Sequence, residues 1–459
     1  ANQPIITTGT LPTLNVFEVY DEALEVAGGT PPYLWGAAGL APGLEIDGET
    51  GRVGNDPSDP AVTDASDTSV TVTVTDAEGR VDNVILSLEV VGAADIGVGR
   101  DGDTRGTHSC ALDTDGAAWC WGRNALGELG NPAPGVGGDN HSETPVPVQG
   151  GHTFASIDAG AFVSCGLDTD GSAWCWGGNG NGQLGDGNLG TERHTPVEVA
   201  GDHDFAALSV GPSHSCAVDT EGAAWCWGWN PSGQIGDGTD GNERDTPTPV
   251  SGGHTFRSVD PGGFHSCGID GEGAAWCWGD NSVGQLGNPG AGAGSPVPVA
   301  VADDHTFVTI TAGEAHTCAI DIDDDTWCWG WNDHGQVGDG TEGVDRPAPE
   351  LVEGDHTLGD VVAGEDHTCA VDDTAGGWCW GSNGFGQFGN GTEDGSTVPV
   401  PIDTSQMGEI RTLATEDFHT CGIDGTDTVW CWGVDAAGAL GNTTAPLRAP
   451  VPHPVHPGS

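Results

Sequence analysis

The chain of 459 residues has no lysine: its 11 basic residues are all arginine, set against 69 acidic ones. Residues 1–92 carry 15 acids and 2 arginines (−13) and the remainder 54 acids and 9 arginines (−45), which gives the net charge of −58. With neither part basic, no surface is available to neutralise phosphate, so nucleic acid and anionic membranes are disfavoured as partners. Such charge attracts cations and suits saline surroundings that screen self-repulsion. No apolar run is long enough to cross a bilayer, so no membrane insertion is expected. No leader with a charged start and an apolar centre stands at Ala1, so export implies a signal already removed. The C-x2-C pairs of zinc sites, H-E-x-x-H, phosphate loops and nucleophile motifs are all missing. No catalytic residue, metal ligand or cofactor is expected from these absences.

What the chain does have is glycine (79), proline (29) and 17 tryptophans, with a hydrophobic fraction of 36%. Disordered chains lack such aromatics, so this is a turn-rich folded protein. Seven copies of one phrase dominate, beginning at Cys110, Cys165, Cys216, Cys267, Cys318, Cys369 and Cys421, in steps of 55, 51, 51, 51, 51 and 52. A period near fifty signals a solenoid or a propeller. Within one unit, 153–160 alternates as a strand, 164–177 reads as two strands around Asp168-Thr169-Asp170-Gly171, 179–187 is a glycine-rich loop, and 195–199 is a strand whose proline suits an edge. Four strands repeated seven times fit a closed ring of blades better than an open stack.

Each first cysteine has a partner ten residues on: Cys120, Cys175, Cys226, Cys277, Cys328, Cys379 and Cys431, which uses all 14. In the first unit the turn centres on Asp115, so residues whose numbers sum to 230 face one another, and Cys110 and Cys120 satisfy that sum. Their side chains leave one face at the separation of a cross-strand bridge. A one-residue bulge in the turn would shift this register. Zinc ligation and redox catalysis fit less well, since seven equivalent pairs suit neither. The reading is seven hairpin disulfides, hence an oxidising compartment and an exported protein.

Two tryptophans flank each second cysteine, from Trp119 and Trp121 to Trp430 and Trp432. Residues i and i+2 share a strand face, so each pair points away from the cysteine and is expected to fill the gap to a neighbouring blade. Trp229 and Trp331 lie outside this phrase and are the candidate ligand-binding residues. Six histidines before the first cysteine (His108, His214, His265, His316, His367 and His419, with Val163 in the second unit) read as packing or hydrogen bonding, because a catalytic site is normally single. The Asp-rich turns (Asp113 with Asp115, Asp168 with Asp170, Asp321 with Asp323 to Asp325) supply carboxylates that calcium would accept, yet Asp-x-Asp-Gly is also ordinary hairpin chemistry. Asn140, Asn390 and Asn442 stand in glycosylation sequons.

The phrase Gly313, His316, Thr317, Cys318, Trp329-Gly330, Asn332 and Gly335-Gln336-Val337-Gly338 resembles the repeat of the regulator of chromosome condensation family, over about residues 93–459. That resemblance implies a seven-bladed propeller. The paired cysteines and doubled tryptophans look like secreted bacterial variants of the repeat. Founding members bind chromatin and promote nucleotide exchange on a small GTPase; the fold is carried over here, and no activity.

Before the repeats, Val70, Val72 and Val74 and then Val84, Leu86, Leu88 and Val90 alternate around a turn at Asp76-Ala77-Glu78-Gly79, an antiparallel hairpin with one buried face. With Gly29-Thr30-Pro31-Pro32-Tyr33, Pro42-Gly43-Leu44, Thr50-Gly51 and Val74-Thr75-Asp76, this part resembles the immunoglobulin-like domains of bacterial surface proteins, which serve as spacers or adhesion modules. Gly54-Asn55-Asp56-Pro57 departs from that pattern. Residues 91–95 form a short joint.

The expected architecture is all-β: an immunoglobulin-like β-sandwich at 1–92 and a seven-bladed β-propeller at 93–459. Pro450-Val451-Pro452-His453 is expected to pack beside Ala94 to Val98 and seal the ring. The expected role is a non-enzymatic structural or adhesive protein, extracellular or at the cell surface, including a self-assembling filament or surface-layer subunit. Its partners would be copies of itself, other surface proteins or glycans. A propeller holding a glycan or peptide on one face is the alternative. The N-terminal segment is either a strand donated to a neighbouring copy or the module's own first strand. The irregular stretch 99–110 is the one break in pattern where an enzyme site would be sought.

Overall fold

A computed structural model describes residues 3–55, 68–99, 107–132, 140–354 and 356–456. Residues 100–106 of the irregular stretch, and Asp56-Pro57, lie outside that set. In each repeat four short strands form one antiparallel sheet. Blade 2 runs outward as Phe154–Ala159, Val163–Asp168, Ala173–Gly177 and Arg193–Glu198. Blade 1 begins with Ala93–Val98, and blade 7 ends with Arg448–Pro454. The outermost strands carry proline in every blade, as in Arg244–Pro249, Arg346–Leu351 and Ser396–Pro401. Proline cannot donate to a ladder, so these rims resist edge-to-edge pairing.

The hairpin register is the one the arithmetic gives. Cys110 faces Cys120, and Cys318 faces Cys328. Asp113 N–H donates to Ala117 O at the turn. Counting back from that bonded pair puts the cysteines at a non-hydrogen-bonded position, where strands approach most closely. Bridges join all seven pairs, with Cα atoms 4.0–4.1 Å apart. Every cysteine is fully buried, because the bridge of one blade packs under the second tryptophan of the next. Cys165–Cys175 meets Trp227, Cys267–Cys277 meets Trp329, and Cys421–Cys431 meets Trp121.

That last contact closes the ring, and it corrects the expected closure. Arg448–Pro454 pairs with Val429–Val434 as the outermost strand of blade 7, whereas Ala94 to Val98 lie in the innermost strand of blade 1. The two blades are joined nearer the axis. Ala93 N–H donates to Asp427 O (2.7 Å), Arg411 donates to Ala93 O (2.6 Å), and Trp121 Nε1 donates to Ala439 O (2.9 Å).

The segment before blade 1 holds two three-stranded sheets. One orders Asp21–Ala23, Arg52–Asn55 and Leu44–Ile46; the other orders Leu34–Ala38, Thr68–Thr75 and Val81–Leu88. Val70, Val72, Val74, Leu86 and Leu88 are buried, and their partners on the alternate face are not. Ile5–Ile6 pairs with Val26–Ala27 of the same chain, so the N-terminal strand completes its own module.

A substitution explains how this module meets the ring. Ala93 faces Asp113 where Phe154 faces Asp168 and Phe205 faces Asp219. The missing phenyl ring is supplied by Phe17, whose centroid lies 5.7 Å from Trp119 and 6.3 Å from Trp121. The Phe154–Trp176 spacing in blade 2 is 6.0 Å. Asn15 Nδ2 adds a hydrogen bond to Asp113 Oδ2 (2.6 Å). One apolar cluster accordingly runs from Leu14 and Phe17 through Trp121 to Cys431.

Candidate functional site

The recurring polar residues are engaged by the scaffold. At each hairpin the first aspartate organises the turn. Asp270 Oδ1 accepts from Glu272 N and Ala274 N, and Oδ2 accepts from Trp276 Nε1 at 2.9 Å. The same pattern holds from Asp113 with Trp119 to Asp424 with Trp430. With both oxygens of that leading carboxylate occupied by N–H donors, the turn chemistry explains the aspartates without calcium. Among the described residues, no group of three or more His, Cys, Asp or Glu side chains is arranged to hold a metal ion.

The two tryptophans of a pair have different fates, contrary to the expectation that both fill the interblade gap. The first lies over a histidine of its own blade, as His254 on Trp276 at 3.9 Å, and is half-buried in the middle blades. The second is completely buried and reaches the preceding blade: Trp278 Nε1 donates to Gln234 O at 2.8 Å. That carbonyl also accepts from Ser266 Oγ (2.9 Å), and His214 Nε2 donates to the same hydroxyl (2.7 Å). Equivalent carbonyls at Glu128, Gln285, Gln336, Gln387 and Ala439 carry the pattern round the ring. The terminal glycine of the Gly-Gln-x-Gly loop lies against the incoming indole; a Cβ on Gly236 would sit 2.7 Å from Trp278 Nε1.

Because the serine hydroxyl donates to a carbonyl, the histidine keeps its proton on Nε2 and its Nδ1 bare. Burial pushes His214, His265, His367 and His108 down to about 3, with Arg123 adding to the effect at His108, and His419 to about 4. In an unfolded chain they take a proton near pH 6.5. Their contribution to stability is therefore complete above pH 6.5 and is lost as pH falls towards 3–4. At pH 5 each costs on the order of 1–2 kcal/mol by linkage. Asp158, raised to about 7 by burial and by Asp260, has the opposite sign. It favours the fold in acid and opposes it as pH rises through 7. With several histidines against one such aspartate, the thermal midpoint is expected to fall steadily from pH 7 to 4.5 at constant salt; a flat profile would contradict the neutral-histidine ring.

Any recognition function is left to positions where the blades differ, and these gather on the face bearing the Gly-Gln-x-Gly loops. Between blades 4 and 5 that face has a cleft of about 530 Å³ lined by Ser232, Phe264, Asp280, Ser282, Val283, Gln285, Glu314, Ala315, Trp331 and Glu365. Trp331 is thus in the cleft. Trp229 is not among its lining residues; it packs on Phe264 with centroids 5.4 Å apart. His334 meets Trp331 edge-on at 5.6 Å and lines a second, polar depression of about 530 Å³ with Glu342, Ser382, Asn383, Ser396 and Thr397. Phe264, Asp280, Glu314 and Glu365 escaped the sequence reading. The signal for Phe264 was the variable residue before each histidine, which is Ser213 in one unit and Ala315 in another.

A second polar feature lines the axial channel. Ser209 Oγ lies 3.2 Å from Asp158 Oδ2 and 2.7 Å from Asp260 Oδ1, and the two carboxylates also accept Val210 N and Ala312 N from the following blades. Of the sequons, Asn140 is exposed and Asn390 is half-exposed, with its Oδ1 accepting from Thr392 N. Asn442 is a correction: it is buried and its Nδ2 donates to Pro454 O at 2.8 Å, which bars a glycan in the folded chain.

Among known families, a profile described as "RCC1-like domain" matches residues 101–358, and one described as "Regulator of chromosome condensation (RCC1) repeat" matches 360–387. The mitochondrial RCC1 domain-containing protein RUG3 of Arabidopsis thaliana is 32% identical over 194 residues, covering 41% of this chain and 43% of that protein. The chain therefore spans under half of that relative's length. The Ultraviolet-B receptor UVR8 of the same plant is 27% identical over 343 residues, covering 73% of this chain and 77% of its own. The crystal structure of Prp20p from Saccharomyces cerevisiae superposes with a TM-score of 0.65 at 20% identity, over 75% of this chain and 87% of that one, a likeness of fold alone.

Proposed function

The chain belongs to the RCC1-like domain family, and on that premise we propose that it is an exported, non-enzymatic adhesive protein of the cell surface that binds its ligand on the loop face around Trp331. The observation that carries this reading is the division of labour within the repeat. The recurring Asp, Trp, His, Ser or Thr and Gln groups tie blades together, and an aromatic cleft opens where the blades differ. A bridge in every blade supports an oxidising compartment. The segment at 1–92, read as an immunoglobulin-like sandwich, would be the rigid spacer, and its shared core with blade 1 supports a fixed orientation. A glycan or a peptide is the ligand class considered. Screening the full oxidised protein against glycans and peptides tests this: Trp331→Ala is expected to weaken the selected ligand at least tenfold, a loss on the scale of a binding hot spot. A ligand indifferent to Trp331 would refute the assignment of this face.

Assembly into a filament or surface layer is a second reading. It is favoured by Leu34 (64% exposed), Val81 (45%) and Ile85 (71%), which share the outer face of the Leu34–Ala38, Thr68–Thr75 and Val81–Leu88 sheet. Sedimentation at high concentration and native salt is expected to show concentration-dependent association that Ile85→Asp abolishes; persistent monomers would exclude it.

A further inference from the structure

We propose that the cleft between blades 4 and 5 takes the guanidinium group of an arginine presented by a basic peptide. This deepens the reading of the loop face as the ligand site and rests on it. The walls are aromatic and apolar: Phe264, Trp331, Val283 and Ala315. The polar lining is dominated by three carboxylate residues, Asp280, Glu314 and Glu365, and no basic residue is among the described residues that line it. Aromatic faces carry negative quadrupole density and attract cations, and guanidinium stacks on them especially well.

The hydrogen-bonding inventory separates a cation from a neutral sugar. Two of the cleft's neutral donors already serve Asp280. Ser282 Oγ donates to Asp280 Oδ2 at 2.6 Å, Ser282 N at 3.3 Å and Gln285 Nε2 at 2.8 Å. Those bonds fix the carboxylate in place without cancelling its charge. The lining is consequently rich in acceptors and poor in uncommitted donors. A sugar hydroxyl needs both kinds of partner, whereas guanidinium brings five N–H donors and no acceptor. The volume, about 530 Å³, falls in the range that holds a side chain with part of its backbone. The net charge of −58 steers a basic segment towards this surface and makes the encounter salt-sensitive.

The test uses the full oxidised chain and an acetylated, amidated Gly-Gly-Arg-Gly-Gly peptide, with the citrulline peptide as its neutral isostere, followed by calorimetry and tryptophan fluorescence. The arginine peptide is expected to bind saturably, and the citrulline peptide at least tenfold more weakly. Trp331→Ala should weaken arginine binding about tenfold, in line with a desolvated cation–π contact, while Trp331→Phe should stay within about threefold and show that the fold is intact. The Glu314→Gln/Glu365→Gln pair should weaken binding and flatten its dependence on salt. Equal binding of the arginine and citrulline peptides, no binding of either, or arginine binding that ignores both Trp331 and the carboxylates, would overturn the proposal. If a neutral oligosaccharide from the screen binds and is lost in Trp331→Ala while the arginine peptide does not bind, the cation assignment fails and the face assignment stands. If no ligand depends on Trp331, the face assignment itself fails.

Discussion

Refolding with the thiols kept reduced is expected to fail: the seven hairpins should not regain a cooperative propeller at room temperature. Each bridge closes a short loop, worth about 2–3 kcal/mol in the chain-entropy description, less whatever structure an open hairpin retains. Seven such contributions exceed the ~5–15 kcal/mol that typically separates folded from unfolded domains. The strands are short, at five or six residues in most blades, and 79 glycines raise the entropy of the open chain. The bridges also fill the interblade contacts, so their loss leaves thiols facing buried indoles. A graded version is the Cys318→Ser/Cys328→Ser pair, expected to cost roughly 2–4 kcal/mol in a denaturant titration, since it also places two hydroxyls in an apolar contact. A fully reduced chain with an unchanged unfolding midpoint would show that the bridges are incidental.

Trp278→Ala is expected to cost about 3–5 kcal/mol, the range for removing a large buried aromatic. Trp276→Ala, two residues away, should cost clearly less. Trp278 is completely buried between the Cys216–Cys226 bridge and Phe256, and its N–H satisfies Gln234 O. Trp276 lies over His254, half-buried, and its N–H serves a turn aspartate that has other donors. Equal losses, read by chemical denaturation of both variants, would contradict the division between an interblade and an intrablade tryptophan.

The part of this design that was legible in sequence is the part built from local spacing. Ten residues between Cys110 and Cys120 fixed a facing pair because hairpin register is arithmetic, and the turn behaved as that arithmetic assumed. The sixfold recurrence of histidine pointed to structure over catalysis, and the buried His214–Ser266 bond agrees. The partner of that bond was hidden, because it lies 52 residues away in the next blade. The unequal roles of Trp276 and Trp278 were hidden for the same reason, since alternation places both on one face and says nothing of which neighbour each one meets. The C-terminal strand was placed wrongly at the closure because its proline-rich phrase recurs in every repeat and marks an outer rim, not a seam. Phe17 was invisible: only the pairing of Ala93 with Asp113 reveals the gap that it fills. At the cleft, Trp331 stood out as an extra tryptophan, whereas Phe264 and the carboxylates around it looked like ordinary loop residues.

The most direct measurement is the thiol state of the protein isolated from its native source, alkylated under denaturing, non-reducing conditions and read by intact mass and peptide mapping. All 14 cysteines should resist alkylation, and every cross-linked peptide should join cysteines ten residues apart. Alkylated cysteines in the mature protein, or bridges between different repeats, would contradict a ring stapled blade by blade in an oxidising compartment.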